Sequence, residues 1–446
     1  MAIIRMSRRS VVFTGAGAAL TLRAPAVLGQ AKSPYAGTTI RGAAFSLPFH
    51  QYLKDYFPEF EAATGIHVEF DVQAFPVYNQ RMDLELSTGG SSYDVAVLTF
   101  TYQGRWLGAG WISPLDEFLS NPNATPADWE PGDFVGQTSM RDAKGHTYGF
   151  GIEAGAVILW AARGDLLDKA GVELPKTLAD LPKVCEAIHD KDNVAAWTGD
   201  NLHHWNWPPY LMDMGGNFFK DPPRNVTPTL DTPAAVQSAQ LYTDLLAKFA
   251  PQGVLSYTFD QAMESQLSGR ANMRNQAVTW AIPLIKNPAS TVKNTVRFAP
   301  FPSGSNGWFP GVAINGFGIP AGSKNKGAAW EFIKWALSKE MLAKLVKDKG
   351  YPSICRRSVI QGEPFKETLT LNGQDVGALY LQALERASDA GYMKYRTVPV
   401  FPMVGDKVNR AMEAIASKQL DAAAALKQAE IQAADDIKKA GYSIDL

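Results

Sequence analysis

Apolar residues along this chain fall into short runs of two kinds, and their alternation predicts the architecture. Thr39 to Ala44 (TIRGAA) reads as a strand, and the stretch after it reads as helix as far as Thr64, where Gly65 stops it. Ile66 to Val72 (IHVEFDV) alternates apolar with polar residues, the period of a half-buried strand. Tyr93 to Leu98 (YDVAVL) is almost wholly apolar, as suits a strand covered on both faces in a parallel sheet, and a helix near Val77 to Ser87 separates the two. Strand and helix in succession predict an α/β fold.

The pattern continues in the same manner. Ala156 to Trp160 is a strand, Asp165 to Ala170 a short helix ended by Gly171, and Thr177 with Asp180 an N-cap signature for the next helix. Thr232-Pro233 opens a helix with Ala239, Tyr242, Leu246 and Phe249 on one stripe, and Thr258 with Gln261 has capping-box spacing. A strand from Ala271 to Arg274 follows. From Val296 come a strand, a Pro/Gly-rich loop holding Trp308 and Phe309, and another strand from about Gly311. Lys326 to Leu337 is amphipathic, and Leu426, Ala429, Ala433 and Ile437 form a final helical stripe capped by Asp421.

With 446 residues the chain exceeds the size at which single cores stop growing, so two lobes are expected. The 43 Lys and Arg nearly cancel the 44 Asp and Glu, which removes the electrostatic case for nucleic acid or an acidic membrane and favours a small partner. The first 31 residues carry Arg8-Arg9, an apolar run from Val11 to Leu22 and small residues near the end, the pattern of a twin-arginine export signal. Cys185 and Cys355 are the only cysteines; neither lies where a lipid anchor would attach, and spacing does not decide whether they pair.

Ligands of open α/β sheets sit beyond the carboxyl ends of the strands. Those segments here are Phe45-Ser46 and Thr99-Phe100-Thr101-Tyr102, whose rings and hydroxyls suit a neutral polyhydroxylated ligand, although a plain surface loop would carry them as readily. Glu153 stands among Gly149, Gly151 and Gly155, either as a ligand group or as a solvated charge. His203 and Trp205 sit in an aromatic stretch before the pair Gly215-Gly216, and Trp280 follows a strand. The adjacent histidines lack metal-site spacing, and Gly311 to Gly316 lacks the dinucleotide pattern, so neither metal nor nucleotide cofactor is expected.

The order of these features resembles the extracellular solute-binding proteins of ABC importers, the family that includes the maltose-binding protein. The resemblance is carried by Tyr93 to Val95, WLGAGWISPLDEFL from Trp106, HTYGFGIEAGAVILW from His146, DLLDKAGVELPKTLADL from Asp165, ANMRNQAVTW ending at Trp280, PFPSGSNGW with AAWEFIKWALSKE after it, and GYPSICRRS from Gly350. It implies a two-lobed periplasmic-binding-protein fold of the type II kind with three inter-lobe crossings, near Gly151, Val296 and Gly350. One lobe would then hold residues 32–151 and 297–350, the other 152–296 and 351–446. Contact positions carried over are Leu98 to Tyr102, Glu153, His203, Trp205 and Trp280, with Phe45, Ser46, Phe309 and Gly311 at strand ends and, more loosely, Thr397 to Val404. Thr101 and Tyr102 stand where the maltose-binding protein has charged groups, so its particular sugar does not transfer.

The expected function is therefore capture of a small carbohydrate or polyol by a monomeric periplasmic protein that serves a membrane permease. A charged ligand in the same cleft is the nearer alternative, but the aligned positions offer mainly aromatics and hydroxyls with one carboxylate. A secreted carbohydrate-active enzyme would need paired carboxylates ~5–10 Å apart, and Glu153 has no evident partner in the sequence.

Overall fold

In the computed structural model, which describes residues 33–142, 144–155, 159–190, 192–276, 278–389 and 391–445, the strands sort into two large sheets and two small two-stranded ones. Thr39–Phe45 (β1), His67–Gln73 (β2), Val95–Leu98 (β3) and Gly149–Gly155 (β4) come first in the chain. Leu159–Arg163 (β5) and Ala195–Trp197 (β6) follow, and Phe219–Asp221 (β7) forms a hairpin with Asn225–Pro228 (β8). Ala271–Gln276 (β9), Val296–Pro300 (β10) and Ala313–Gly318 (β11) come last of those that build the lobes. The first sheet has the order β2-β1-β3-β11-β4 and the second β10-β5-β9-β6.

β1 pairs in parallel with β2 and β3, and β2, at the sheet edge, keeps the half-exposed pattern of its alternating sequence. All four residues of β3 are buried, as their apolar run predicts. The sheet is nonetheless mixed rather than purely parallel, because β11 enters between β3 and β4 and runs antiparallel to both. Against one face packs the helix Lys326–Ala336, whose Phe332 meets the rings of Phe57, Phe60, Phe70 and Phe317 at 5.6 to 5.9 Å. In the second lobe Thr232 caps the helix Pro233–Phe249, and Thr258 with Gln261 closes a capping box on Phe259–Leu267. The terminal helix Ala422–Lys439, capped by Asp421, turns Leu426, Ala429, Ala433 and Ile437 inward and packs on Phe401–Ala416 and Pro233–Phe249. Asp180 does not wait for Thr177 to cap its helix: its carboxylate accepts the Thr177 N–H and hydroxyl at 2.9 and 2.8 Å, closing a turn before Leu181–Ile188 begins.

All three crossings lie later in the chain than the sequence led us to expect. Glu153 and Ala154 are still paired with Asn315 and Ile314 of the first sheet, so the chain leaves after Gly155, not at Gly151, and enters the second sheet at Leu159. The glycines that suggested a hinge are packing glycines: a Cβ at Gly151 would lie 2.8 Å from Cys355 Sγ, and one at Gly149 would lie 2.6 Å from the Phe317 carbonyl. β10 pairs with β5 along its whole length, which places residues 296–300 in the second lobe and the second crossing between Pro300 and Ala313. Residues 351–360 still belong to the first lobe. There the Tyr351 hydroxyl donates to Ile152 O at 3.0 Å, the Val135 N–H donates to Cys355 O at 2.8 Å, and Arg356 is sunk among Asp133, Trp129 and Leu337. The proposed export signal, residues 1–31, and the part of the predicted strand at 156–158 lie outside the described residues. Cys185 and Cys355 are separate buried thiols, and no described helix is long and apolar enough to cross a membrane.

Arg356 is fully buried, with Nη1 3.0 Å from Asp133 Oδ2 and its plane 4.4 Å from the Phe134 ring centre. Removing the carboxylate leaves a buried cation without its partner, so Asp133→Ala is expected to destabilise the protein by about 3–5 kcal/mol in urea unfolding. An exposed control, Asp244→Ala, which breaks the surface pair with Lys248, should cost less than about 1 kcal/mol.

Candidate functional site

β3 ends at Leu98, and its backbone turns at once: the N–H groups of Tyr102 and Gln103 both donate to Thr99 O, starting the helix Gln103–Gly108. Thr99 is buried and its hydroxyl donates to Asn79 Oδ1 at 2.7 Å, which anchors the turn. The next residue reaches across the sheet. Phe100 N–H donates to Asn315 Oδ1 at 3.0 Å, and Asn315 Nδ2 donates to Glu153 Oε2 at 2.9 Å. Phe100, Asn315 and Glu153 therefore line up along the ends of three adjacent strands, with a register shift at Asn315/Gly316 where β11 bends. Burial pushes the Glu153 carboxyl up to about 7, against the opposing pull of the Asn315 hydrogen bond.

The second lobe meets this row through the short helix His203–Asn206. Asp200 positions it: this buried carboxylate accepts from Leu202 N–H and Asn206 Nδ2 at 3.0 and 2.8 Å and is paired with buried Arg274 at 3.0 Å. Trp205 on that helix lies 4.9 Å from the Phe100 ring across the gap between lobes. Arg396, fully buried, covers both rings, its guanidinium 4.9 Å from Phe100 and 5.5 Å from Trp205, with Tyr395 and Phe401 on its other sides at 5.0 Å. Its Nη2 donates to His204 O at 3.3 Å, while Nε and Nη1 have no hydrogen-bond partner among the described residues. Both side-chain ends of buried Gln103 are likewise unpartnered. The lobes touch closely here. A Cβ at Gly104 would stand 2.4 Å from Arg396 O, so only glycine lets the segment Tyr392–Thr397 seat on the helix Gln103–Gly108. Beside this seam a cleft of about 740 Å³ opens, lined by Gly104, Ser139 and Tyr148 from one lobe and by Arg224, Lys394 and Thr397 from the other.

The structure thus joins Phe100, Trp205 and, through Asn315, Glu153. His203 is buried beside them in sequence, its Nδ1 2.9 Å from the Tyr242 hydroxyl and its Nε2 unpartnered; burial lowers its pKa to about 4 and keeps it neutral. The other expected positions have their own neighbours. Phe45 packs in the first core against Phe75 at 4.8 Å, and exposed Ser46 accepts from Gln51 Nε2 at 3.4 Å. Thr101 is half-buried, and Tyr102 leans on Trp106 with ring centres 5.7 Å apart. Trp280 is half-buried and rests on Phe259 with ring centres 4.6 Å apart. Phe309 N–H donates to Asp213 Oδ1 at 2.6 Å, and buried Gly311 leads into β11. Sequence reasoning missed Asn315 and Arg396. A lone asparagine inside the apolar run VAINGF is a readable signal, whereas nothing local marks Arg396 beyond its place directly before Thr397.

Residues 47–343 match the model of the family described as bacterial extracellular solute-binding proteins. Among curated proteins the chain is similar to an erythritol/L-threitol-binding protein of Mycolicibacterium smegmatis, 24% identical over 72% of this chain and 71% of that one. It is also similar to a mannitol-binding protein of Pseudomonas aeruginosa, 24% identical over 86% of this chain and 89% of that one. Among solved structures, an ABC-transporter solute-binding protein of Agrobacterium radiobacter in complex with ribitol superposes with a TM-score of 0.77 at 23% identity, covering 90% of this chain and all (100%) of that one.

Glu153 makes a pH signature. Because its folded pKa is raised from 4.5 to about 7, its contribution to stability is complete below pH 4.5 and is lost as pH rises toward 7. Glu153→Gln keeps an acceptor for Asn315 and cannot ionise, so the variant should gain on the wild type by on the order of 3 kcal/mol between pH 4.5 and 7.5 in urea unfolding. A stability difference that stays constant over that range would contradict the burial of an ionisable Glu153.

Proposed function

Since the chain belongs to the bacterial extracellular solute-binding proteins, we propose that it is the capture component of an ABC importer and binds a small neutral carbohydrate or polyol between its lobes. The observation that carries this reading is the inter-lobe cluster of Phe100, Trp205 and Arg396. Aromatic faces bury the C–H faces of a polyol or sugar, and Nε and Nη1 of Arg396, which point in different directions, each offer a donor to a hydroxyl. Asn315 and Glu153 continue the polar row along the first sheet. Relatives named for erythritol, L-threitol and mannitol, and a neighbour holding ribitol, support a polyol over a long oligosaccharide. Phe100 belongs to one lobe and Trp205 to the other, so a ligand touching both favours the closed arrangement by the contacts that exist only there. The working compartment proposed is the periplasm, reached through the twin-arginine-type signal, with a monomer delivering its load to the permease and no reaction performed on it.

A thermal-shift screen of the purified protein against polyols, mono- and oligosaccharides, organic acids and polyamines tests the reading, because a ligand of the folded state raises Tm by mass action. Polyols or small sugars should raise it. Trp205→Ala and Arg396→Ala should weaken the best ligand at least about tenfold in calorimetry, and Arg396→Lys, with no fork of donors, should restore little. A shift with polyamines or organic acids alone, or release of product from a glycoside, would refute it.

A further inference from the structure

The second lobe and the second crossing carry buried polar atoms that nothing in the described chain satisfies, on segments next in sequence to the ends of β5, β9 and β11. Asp213, last residue of the helix Pro208–Asp213, is fully buried; its Oδ1 accepts the Phe309 N–H at 2.6 Å and its Oδ2 has no partner. Trp308, one residue earlier in the second crossing, has an unpartnered indole N–H, while its carbonyl accepts from Arg386 Nε at 2.8 Å. On the same helix as Asp213, the Tyr210 hydroxyl donates to Asn275 Oδ1 at 3.3 Å and leaves Asn275 Nδ2 buried and unpartnered. Asn275 lies opposite Trp160, just inside the point where the first crossing delivers the chain to β5. On the other side of that crossing Glu153 sits near the end of β4. Phe100 stands two strand positions away, beyond β11, or roughly 10 Å at ordinary strand spacing.

A buried donor or acceptor without a partner is costly, so several such atoms in neighbouring segments call for something that completes them. We propose that Asp213, Trp308 and Asn275 form a second polar wall at the crossing end of the cleft. This wall grips the far hydroxyls of an open-chain polyol whose near end lies at Phe100, Trp205 and Arg396. The proposal rests on the polyol-binding reading above and adds the residues that measure ligand length. Its chemistry fits a neutral ligand: burial pushes the Asp213 carboxyl up to about 8 against the pull of the Phe309 N–H and Arg386, so near neutral pH it carries a proton and donates, as the indole and the amide do. Besides Arg386, the titratable groups facing it are Tyr210 and Tyr392.

The test is calorimetry of the full-length mature protein with stereoisomeric panels of tetritols, pentitols and hexitols. Trp308→Phe and Asn275→Ala should lower affinity for the best hexitol about tenfold and for the best tetritol less than about threefold, flattening the preference for length. Asp213→Asn keeps the acceptor for Phe309 N–H and a donor in place of the acid proton but cannot ionise, so its affinity for the best hexitol should stay constant from about pH 6.5 to 9, whereas that of the wild type should fall as pH rises through about 8. If both truncations reduce all lengths equally, or reduce none, while the wild type still binds polyols, the wall is a structural or hydrated feature and this inference falls alone. If the wild type binds no polyol of the panels, the inference falls together with the reading it rests on.

Discussion

The side-chain amide of Asn315 is the joint on which the site depends. Its oxygen holds the backbone of the turn after β3, and its nitrogen holds the carboxyl of Glu153 on β4. An amide side chain offers an acceptor and a donor in a fixed plane, so a single residue spaces two strands and orients both neighbours. It can do so only because β11, arriving late in the chain, is wedged between β3 and β4. Phe100 is aimed at the other lobe as a result, and the aromatic contact with Trp205 becomes a contact across the gap.

Around that joint the molecule tolerates what most interiors avoid. Arg396 and Asp213 are ionisable groups withdrawn from water, and each keeps fewer partners than its chemistry allows. Arg274 and Arg356, by contrast, are buried with carboxylates beside them and hold loops in place. The distinction separates scaffold from site. Paired buried charges are internally complete, whereas incomplete ones carry a cost that a hydrogen-bonding partner would relieve.

Much of the fold was legible in the sequence because local rules decided it: the alternation in β2, the apolar run of β3, the caps at Thr232, Thr258 and Asp421. The crossings were placed early because glycines at 149 and 151 look alike whether they bend a hinge or let a neighbouring strand and Cys355 approach. In the site, Glu153, Phe100 and Trp205 stood out by type and position. Trp280 stood out equally, and its contact with Phe259 is one that an aromatic after a strand makes in a local core as well as in a cleft. Arg396 was hidden because, of the four rings around its guanidinium, the two that make it an inter-lobe group, Phe100 and Trp205, come from segments far earlier in the chain.

The late arrival of β11 bears on how the molecule is made. Until residue 318 has been synthesised, β3 and β4 have no strand to join them, and each presents an unpaired edge. The second lobe waits longer still, because Ala422–Lys439 must dock on Pro233–Phe249 to cover its helices. Neither half is a unit that can finish while the rest is being translated, and the pairing of distant segments makes assembly slow. The nascent chain is thus exposed to aggregation for nearly its whole synthesis, and its dependence on holding factors should be set by this interleaving more than by the stability of the finished protein.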